Sequence, residues 1–486
     1  MSASFIFTCV AAYSVLLFVI TWLTSRNSNN QSYFLGNKSS PWYIIAYGMI
    51  GASLSGVTFI SVPGWVNQTQ FSYLMVVLGY LAGYLVIATV LLPLYYRLNL
   101  TSIYAYLDQR FGFYTYQSGA FFFILSRVIG ASFRMFLVVS VLQTFVFQSW
   151  GVPFYVTVLL FIALILLYTY EGGIKTIIWT DTLQTTFMLL GVIISVYIIS
   201  NELGYHFSDL VKSIKESNYS QVIFTDVNDK RFFLKQFLSG MFITITMTGL
   251  DQEMMQKNLS CKSLKDAQKN MFSFSIVLVL VNFLFLCLGV VLYQYAQRKG
   301  ITLPANSDEL FPTLAINYLG KFAGIVFIIG LISAAYPSAD GALTSLTTSF
   351  CVDILGINRN ENLSEKKRIR MRHLVHVGFA LLLFGVIVLF KSINDQAVVG
   401  KLFTVAGYTY GPLLGLYAFG LFTKHAVKDK LVPIVCILSP ILCYIINNNS
   451  QQWFNGYKFG FELLIVNGLI TFIGLLILRK IKKETI

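Results

Sequence analysis

Long apolar runs recur from one end of this chain to the other, and that pattern leaves few folds open. A helix that crosses the hydrocarbon core of a bilayer needs about 20 predominantly apolar residues. Thirteen apolar segments can be marked, at roughly 5–23, 42–63, 72–96, 117–147, 153–169, 176–200, 232–250, 271–297, 321–350, 373–391, 398–423, 430–447 and 459–478. Only 12% of the residues are charged, about half the share usual in a soluble domain. No polar stretch is long enough to form a separate soluble domain. The expectation is therefore an all-α membrane protein of about 13 transmembrane helices, with residues 1–486 as one integral membrane domain in contact with the lipid bilayer.

The net charge of +14 does not call for a nucleic-acid partner, because the basic residues cluster in short loops between the apolar segments. With the N-terminus outside, the inside loops hold 22 of the Lys and Arg residues and the outside loops hold 9. Basic loops stay on the cytoplasmic side, so an external N-terminus and a cytoplasmic C-terminus are expected. The loop Asn358–Arg372 and the tail Arg479–Lys483 are the most basic inside segments. Residues 1–23 lack a basic leader region and a small-residue cleavage site, and read as a retained first span. The six cysteines show no paired spacing, and the four histidines form no HExxH pattern. Neither a zinc site nor a metalloenzyme is indicated.

Polar residues inside a span are costly and mark function. Three sets stand out. The segment Trp42–Pro63 carries Gly48, Gly51, Gly56 and Pro63 as expected interruptions, with hydroxyls at Ser53, Ser55, Thr58 and Ser61. A broken helix offers backbone carbonyls to a cation at the midplane, although small residues also serve helix packing. In the segment 332–353, Ala334, Pro337, Ser338, Gly341 and Ser345 follow helical spacing and share a face. Pro337 has no N–H, so the Ser333 carbonyl loses its helical partner. That carbonyl, the Ser338 hydroxyl and the Asp340 carboxylate are hard oxygen ligands suited to a hard cation. The third set is Arg127 and Arg134, seven residues apart and about 10 Å apart along one face of a helix. One or both can receive a substrate carboxylate; the competing reading pairs Arg127 with an acidic side chain or lets it snorkel to the interface.

Several stretches, in order, then carry a resemblance. They are YFLGNKSSPW (Tyr33–Trp42), LTSIYAYLDQRFG (Leu100–Gly112), YEGGIKTIIWTDTLQ (Tyr170–Gln184), LDQEMMQKNLS (Leu250–Ser260), the stretch Ala334–Asp353, and GYTYGPLLGLYAFGLF (Gly407–Phe422). Together they resemble the sodium/solute symporter family, the group of sodium–sugar, sodium–proline and sodium–sialic acid carriers. In LDQEMMQKNLS, Lys257 stands where the family has Arg.

The resemblance implies a leucine-transporter-like core of two inverted five-helix repeats over 42–423. One extra N-terminal span (1–24) and two C-terminal spans (430–478) would flank it. It implies sodium-coupled symport of a small polar organic solute such as a sugar, a sugar acid or another carboxylate. The mechanism would be alternating access, in a bacterial inner membrane, by a monomeric transport unit. By position, a first sodium site would use the carbonyls of Gly51, Leu54 and Ala334 with positions 337 and 338, where Pro337 removes one of the family's two hydroxyls. A second would match Asp181, Ser338, Asp340 and Gly341. The substrate pocket would involve Ser53, Ser55, Thr58, Met75, Gly79, Arg127 and Arg134. The co-transported sodium ion is the only cofactor expected, and no enzymatic nucleophile–base set is visible. The alternative class is a membrane-embedded solute sensor of the same fold; the sequence runs about eight residues past its last apolar segment, too short for a signalling module.

Overall fold

A computed structural model describes residues 1–24, 40–100, 102–359, 363–392 and 398–480, without the side chains of 168, 170–176 and 358. Most of Tyr33–Trp42, the centre of the basic loop 358–372 and the end of the basic tail lie outside the described residues.

The helices follow the apolar segments. They are α1 (Ala3–Thr24), α2 (Trp42–Ser53), α3 (Gly56–Thr69), α4 (Tyr73–Val86), α5 (Phe113–Phe145), α6 (Phe154–Glu202), α7 (Phe233–Thr244), α8 (Gln252–Leu259), α9 (Leu264–Arg298), α10 (Gly320–Ser349), α11 (Glu365–Phe390), α12 (Val398–Phe422), α13 (Val432–Trp453) and α14 (Leu463–Ile477). π-Helical turns extend α4 over Ile87–Leu91 and α7 over Ile245–Gly249. Among the described residues, eight helical stretches are long and apolar enough to cross a membrane by length and composition. Side chains such as Leu167, Tyr197, Leu280 and Leu381 are more than 60% exposed on their outer faces, as surfaces bathed in lipid would be.

One expectation changes. The segments 153–169 and 176–200 fall within one helical range, Phe154–Glu202, but pack as two antiparallel spans: Phe161 stacks on Tyr336 (5.7 Å), and a β-carbon on Gly191 would meet the Gly330 backbone at 3.3 Å, whereas a straight helix would hold the two positions about 45 Å apart. The stretch 250–260, which lies between the apolar segments 232–250 and 271–297, folds as the short helix α8, with all eight of its residues buried.

Interhelical connections gather at two ends. At one, Met1 lies against Gly324, the Arg298 guanidinium donates to the Leu203 carbonyl (2.7 Å), and Lys235 reaches the Lys458 carbonyl (3.3 Å). At the other, Arg110 donates to the Thr423 carbonyl (2.7 Å), Asp429 accepts from the Thr115 N–H (2.8 Å), and the Ser40 N–H meets the Ser260 carbonyl (3.2 Å). This is the alternation that successive spans require. α10 runs through the middle, buried from Leu331 to Ser349 apart from no residue, and packs on α2, α3, α5 and α6.

Candidate functional site

The chain breaks helix between α2 and α3. Leu54 (φ −88°, ψ 83°) and Ser55 (φ −78°, ψ 179°) leave the helical region, and α3 restarts at Gly56. The Leu54 N–H still reaches the Ile50 carbonyl (2.8 Å), and the first bond of α3 runs from the Phe59 N–H to the Ser55 carbonyl (3.1 Å). The carbonyls of Gly51, Ala52, Ser53 and Leu54 are thus left without the helical partners they would otherwise have. So are the N–H groups that open α3. The negative end of one helix dipole and the positive end of another meet at one point inside the protein.

The break is not where the glycines are. Gly48 and Gly51 lie within α2, and Pro63 lies inside α3. The two glycines let α2 approach α6: a β-carbon on Gly48 would come within 3.1 Å of the Asp181 Cβ, and one on Gly51 would collide with the Thr185 hydroxyl. That hydroxyl accepts from the Gly51 N–H at 3.0 Å. Gly56 packs in the same way on Val138. These residues are close-packing positions, and the serine pair flanking Leu54 marks the break.

α10 stays helical across Pro337. The Ser333 hydroxyl donates to the Tyr13 hydroxyl (2.8 Å), and the hydroxyls of Ser14 and Tyr336 bond at 2.8 Å. Helix α1, outside the expected ten-helix core, therefore clasps α10 one turn from Ser338. The Ser338 Oγ is buried without a hydrogen-bond partner. Asp340 accepts from the Gly341 N–H at 2.5 Å. Gly341 faces α8 so closely that a β-carbon there would run into the Glu253 carboxylate.

α8 holds a set of buried charges. Asp251 caps it, accepting from the N–H groups of Glu253 and Met254. Lys257, 1% exposed, donates to Asp181 Oδ2 (2.7 Å) and to Glu253 Oε1 (3.2 Å). Glu253 also pairs with Arg127, which lies 3.8 Å from Asp251; Asp251 accepts from the Tyr410 hydroxyl (3.0 Å). Lys257 is therefore not one of the solvated loop charges among which the sequence reading counted it. Arg127 pairs with acidic side chains, as its competing reading held. Asp251, Glu253 and Tyr410 were missed. The signal was present in two acids and a lysine spaced within seven residues of a polar stretch, but its burial depends on the helices around it.

A partly open cavity lies against the break, lined by Ser53, Leu54, Ser55, Thr58, Arg127 and Arg134 among others. Tyr73, Tyr80 and Tyr84 of α4 complete one wall, with the first two hydroxyls 3.1 Å apart; their helical spacing in an apolar segment was the overlooked clue. Arg134 differs from Arg127. Among the described residues it forms no ion pair, and its Nε is buried without a hydrogen-bond partner. Met75 and Gly79 are not on the cavity wall. Gly79 meets α7: a β-carbon there would strike the Phe237 carbonyl, and one on Gly240 would strike the Val76 carbonyl. A smaller cavity continues past the two arginines to Ser126, Thr409 and Tyr410.

The comparisons agree with this architecture. A model of the sodium:solute symporter family matches residues 33–429. The sodium/sialic acid symporter SiaT of Proteus mirabilis (strain HI4320) is 22% identical over 481 residues, covering 94% of this chain and 92% of that protein. The sodium/sialic acid symporter NanT of Aliivibrio fischeri (strain ATCC 700601 / ES114) is also 22% identical, over 95% of this chain and 91% of its own length. Among solved structures, the substrate-bound outward-open state of a Na+-coupled sialic acid symporter matches with a TM-score of 0.84 at 19% identity, over 97% of each chain. The closed conformation of Mhp1, a nucleobase-cation-symport-1 family transporter, matches at 0.55 and 12% identity, covering 92% of this chain and 94% of its own. At such identities the structural likeness carries the fold alone.

Proposed function

The chain belongs to the sodium:solute symporter family, whose members are transporters and not enzymes, and we propose that it imports a small carboxylate-bearing polar solute, such as a sugar acid, by alternating access. The carrying observation is Arg134. It is a cation on the cavity wall with no acidic partner among the described residues, while Arg127 beside it is already paired. The opening N–H groups of α3 lie on the same cavity, and a helix N-terminus favours an anion. The hydroxyls of Ser53, Ser55 and Thr58 can take the remaining polar groups of the solute. Two relatives named for sialic acid, itself a sugar acid, support the class.

For sodium, the reading uses the carbonyls of Gly51 and Leu54 at the broken end of α2, the carbonyl of Ala334 and the Ser338 hydroxyl. The Ser333 carbonyl, deprived of its N–H by Pro337, replaces the hydroxyl that position 337 lacks. A buried hydroxyl without a partner is costly, and a cation that accepts its lone pairs removes that cost. The layer of Arg127, Asp251, Glu253 and Tyr410 closes the cavity toward the end that carries the basic loops. We take that end as cytoplasmic, with the N-terminus outside, in a bacterial inner membrane. Opening to the inside would part this layer.

A thermal-shift screen of the purified protein tests the reading, using neutral sugars, amino acids and sugar acids including sialic acid, in sodium or choline chloride. Stabilisation by carboxylates that requires sodium is the expected result. Stabilisation by neutral sugars alone, or equal stabilisation without sodium, would overturn it.

A further inference from the structure

The Asp181 carboxylate, matched by resemblance to a second sodium site, already has a cation beside it. The Lys257 ammonium sits 2.7 Å from Asp181 Oδ2 and 3.2 Å from Glu253 Oε1. The Glu253 carboxylate in turn lies against Gly341. One of the four residues matched to that second site, Asp181 on α6, therefore holds the ammonium, and another, Gly341 on α10, lies against the carboxylate that shares it. A lysine side chain ends in a compact point charge, close in character to a small cation. Asp181 Oδ1 remains buried without a hydrogen-bond partner, so the carboxylate is only half satisfied by Lys257 and keeps a free oxygen for a ligand.

We propose that the Lys257 ammonium acts as a tethered cation that fills the second cation position at Asp181, so that sodium is excluded there until the lysine is neutralised. This rests on the sodium-coupled reading above. Two unit charges about 4 Å apart in a medium of effective dielectric near 20 repel strongly enough to weaken binding on the order of a thousandfold. A free sodium ion beside the ammonium is excluded on that ground. With glutamine at 257 the repulsion is gone, and Asp181 and Glu253 present carboxylate oxygens with no charge of opposite sign between them. Hard oxygens in that arrangement suit sodium.

Equilibrium binding of radioactive sodium to the purified full chain, at constant ionic strength in choline chloride, provides the test. K257Q is expected to bind one more sodium ion per chain than the natural protein. K257R is expected to show no such gain, and D181N/K257Q to lose it. A folded K257Q with no gain would overturn the proposal, as would a gain that survives in D181N/K257Q. Should K257Q not fold, D181N in the natural background decides. A sodium count lowered by one would mean that sodium reaches Asp181 despite Lys257 and would overturn the proposal, while an unchanged count would support it. Absence of sodium binding by the natural protein would sink the sodium reading above, and the gain in K257Q would still decide this one.

Discussion

Replacing each cavity arginine by methionine separates structure from recognition. Arg127 is 5% exposed and paired with Glu253, which is 1% exposed. Removing one partner of a buried ion pair costs about 3–5 kcal/mol. Because Lys257 still holds the other Glu253 oxygen at 3.2 Å, R127M should fall near the lower end, about 3 kcal/mol. Arg134 has no ion pair to lose among the described residues, so R134M should change stability by less than about 1 kcal/mol. Its effect on the solute is the reverse. Each charge-assisted hydrogen bond is worth about 1.5–3 kcal/mol, and a guanidinium gives a carboxylate two. The loss of about 3–6 kcal/mol weakens binding on the order of a hundred- to ten-thousandfold. A carboxylate at 100 times its dissociation constant stabilises the natural protein by about 2.7 kcal/mol, and after a hundredfold loss of affinity by only about 0.4 kcal/mol. Melting curves in sodium, with and without the carboxylate, read both numbers. R134M melting as low as R127M, or keeping the full carboxylate-induced shift, would refute the reasoning.

Three further substitutions probe the parts around the cavity. S338A should raise the sodium concentration needed for half-maximal uptake by about tenfold or more, taking one oxygen ligand of the cation as worth about as much as a charge-assisted hydrogen bond, with little change in melting temperature in choline; an unchanged sodium dependence would remove Ser338 from the site. G79A should lower stability by about 1–3 kcal/mol, the usual range for overpacking, because the backbone of α7 cannot move aside, and should leave the rank order of solutes intact. A changed rank order with normal stability would return Gly79 to the pocket. Y13F removes the hydroxyl that accepts from Ser333, and should weaken sodium dependence while leaving solute affinity at saturating sodium unaltered; uptake assays at varied sodium and varied solute distinguish the two.

Much of the architecture was legible because hydrophobicity along a chain is a local property. Each apolar segment became helix, and the segment 42–63 did contain a break. The place of the break was not legible. A glycine that lets two helices touch and a glycine that ends a helix look alike in sequence, and only the packing of Gly48 and Gly51 on α6 tells them apart. The same limit applies to Gly79, whose neighbour Gly240 lies more than 150 residues away in sequence.

α8 shows where a window over local hydropathy fails altogether. QEMMQKNL is polar enough to be read as a solvated loop, yet every residue in it is buried. Its charges are tolerated because Arg127 and Asp181, more than 70 residues away in sequence and from different helices, arrive to pair with them. Those pairings form one charge-paired unit that joins the cavity wall at Arg127 to α10 at Gly341. A solute carboxylate at Arg134 and a cation beside α10 would act on opposite ends of this unit. Each would shift the electrostatic balance that the other meets, and such reciprocity is what coupling between two binding sites requires.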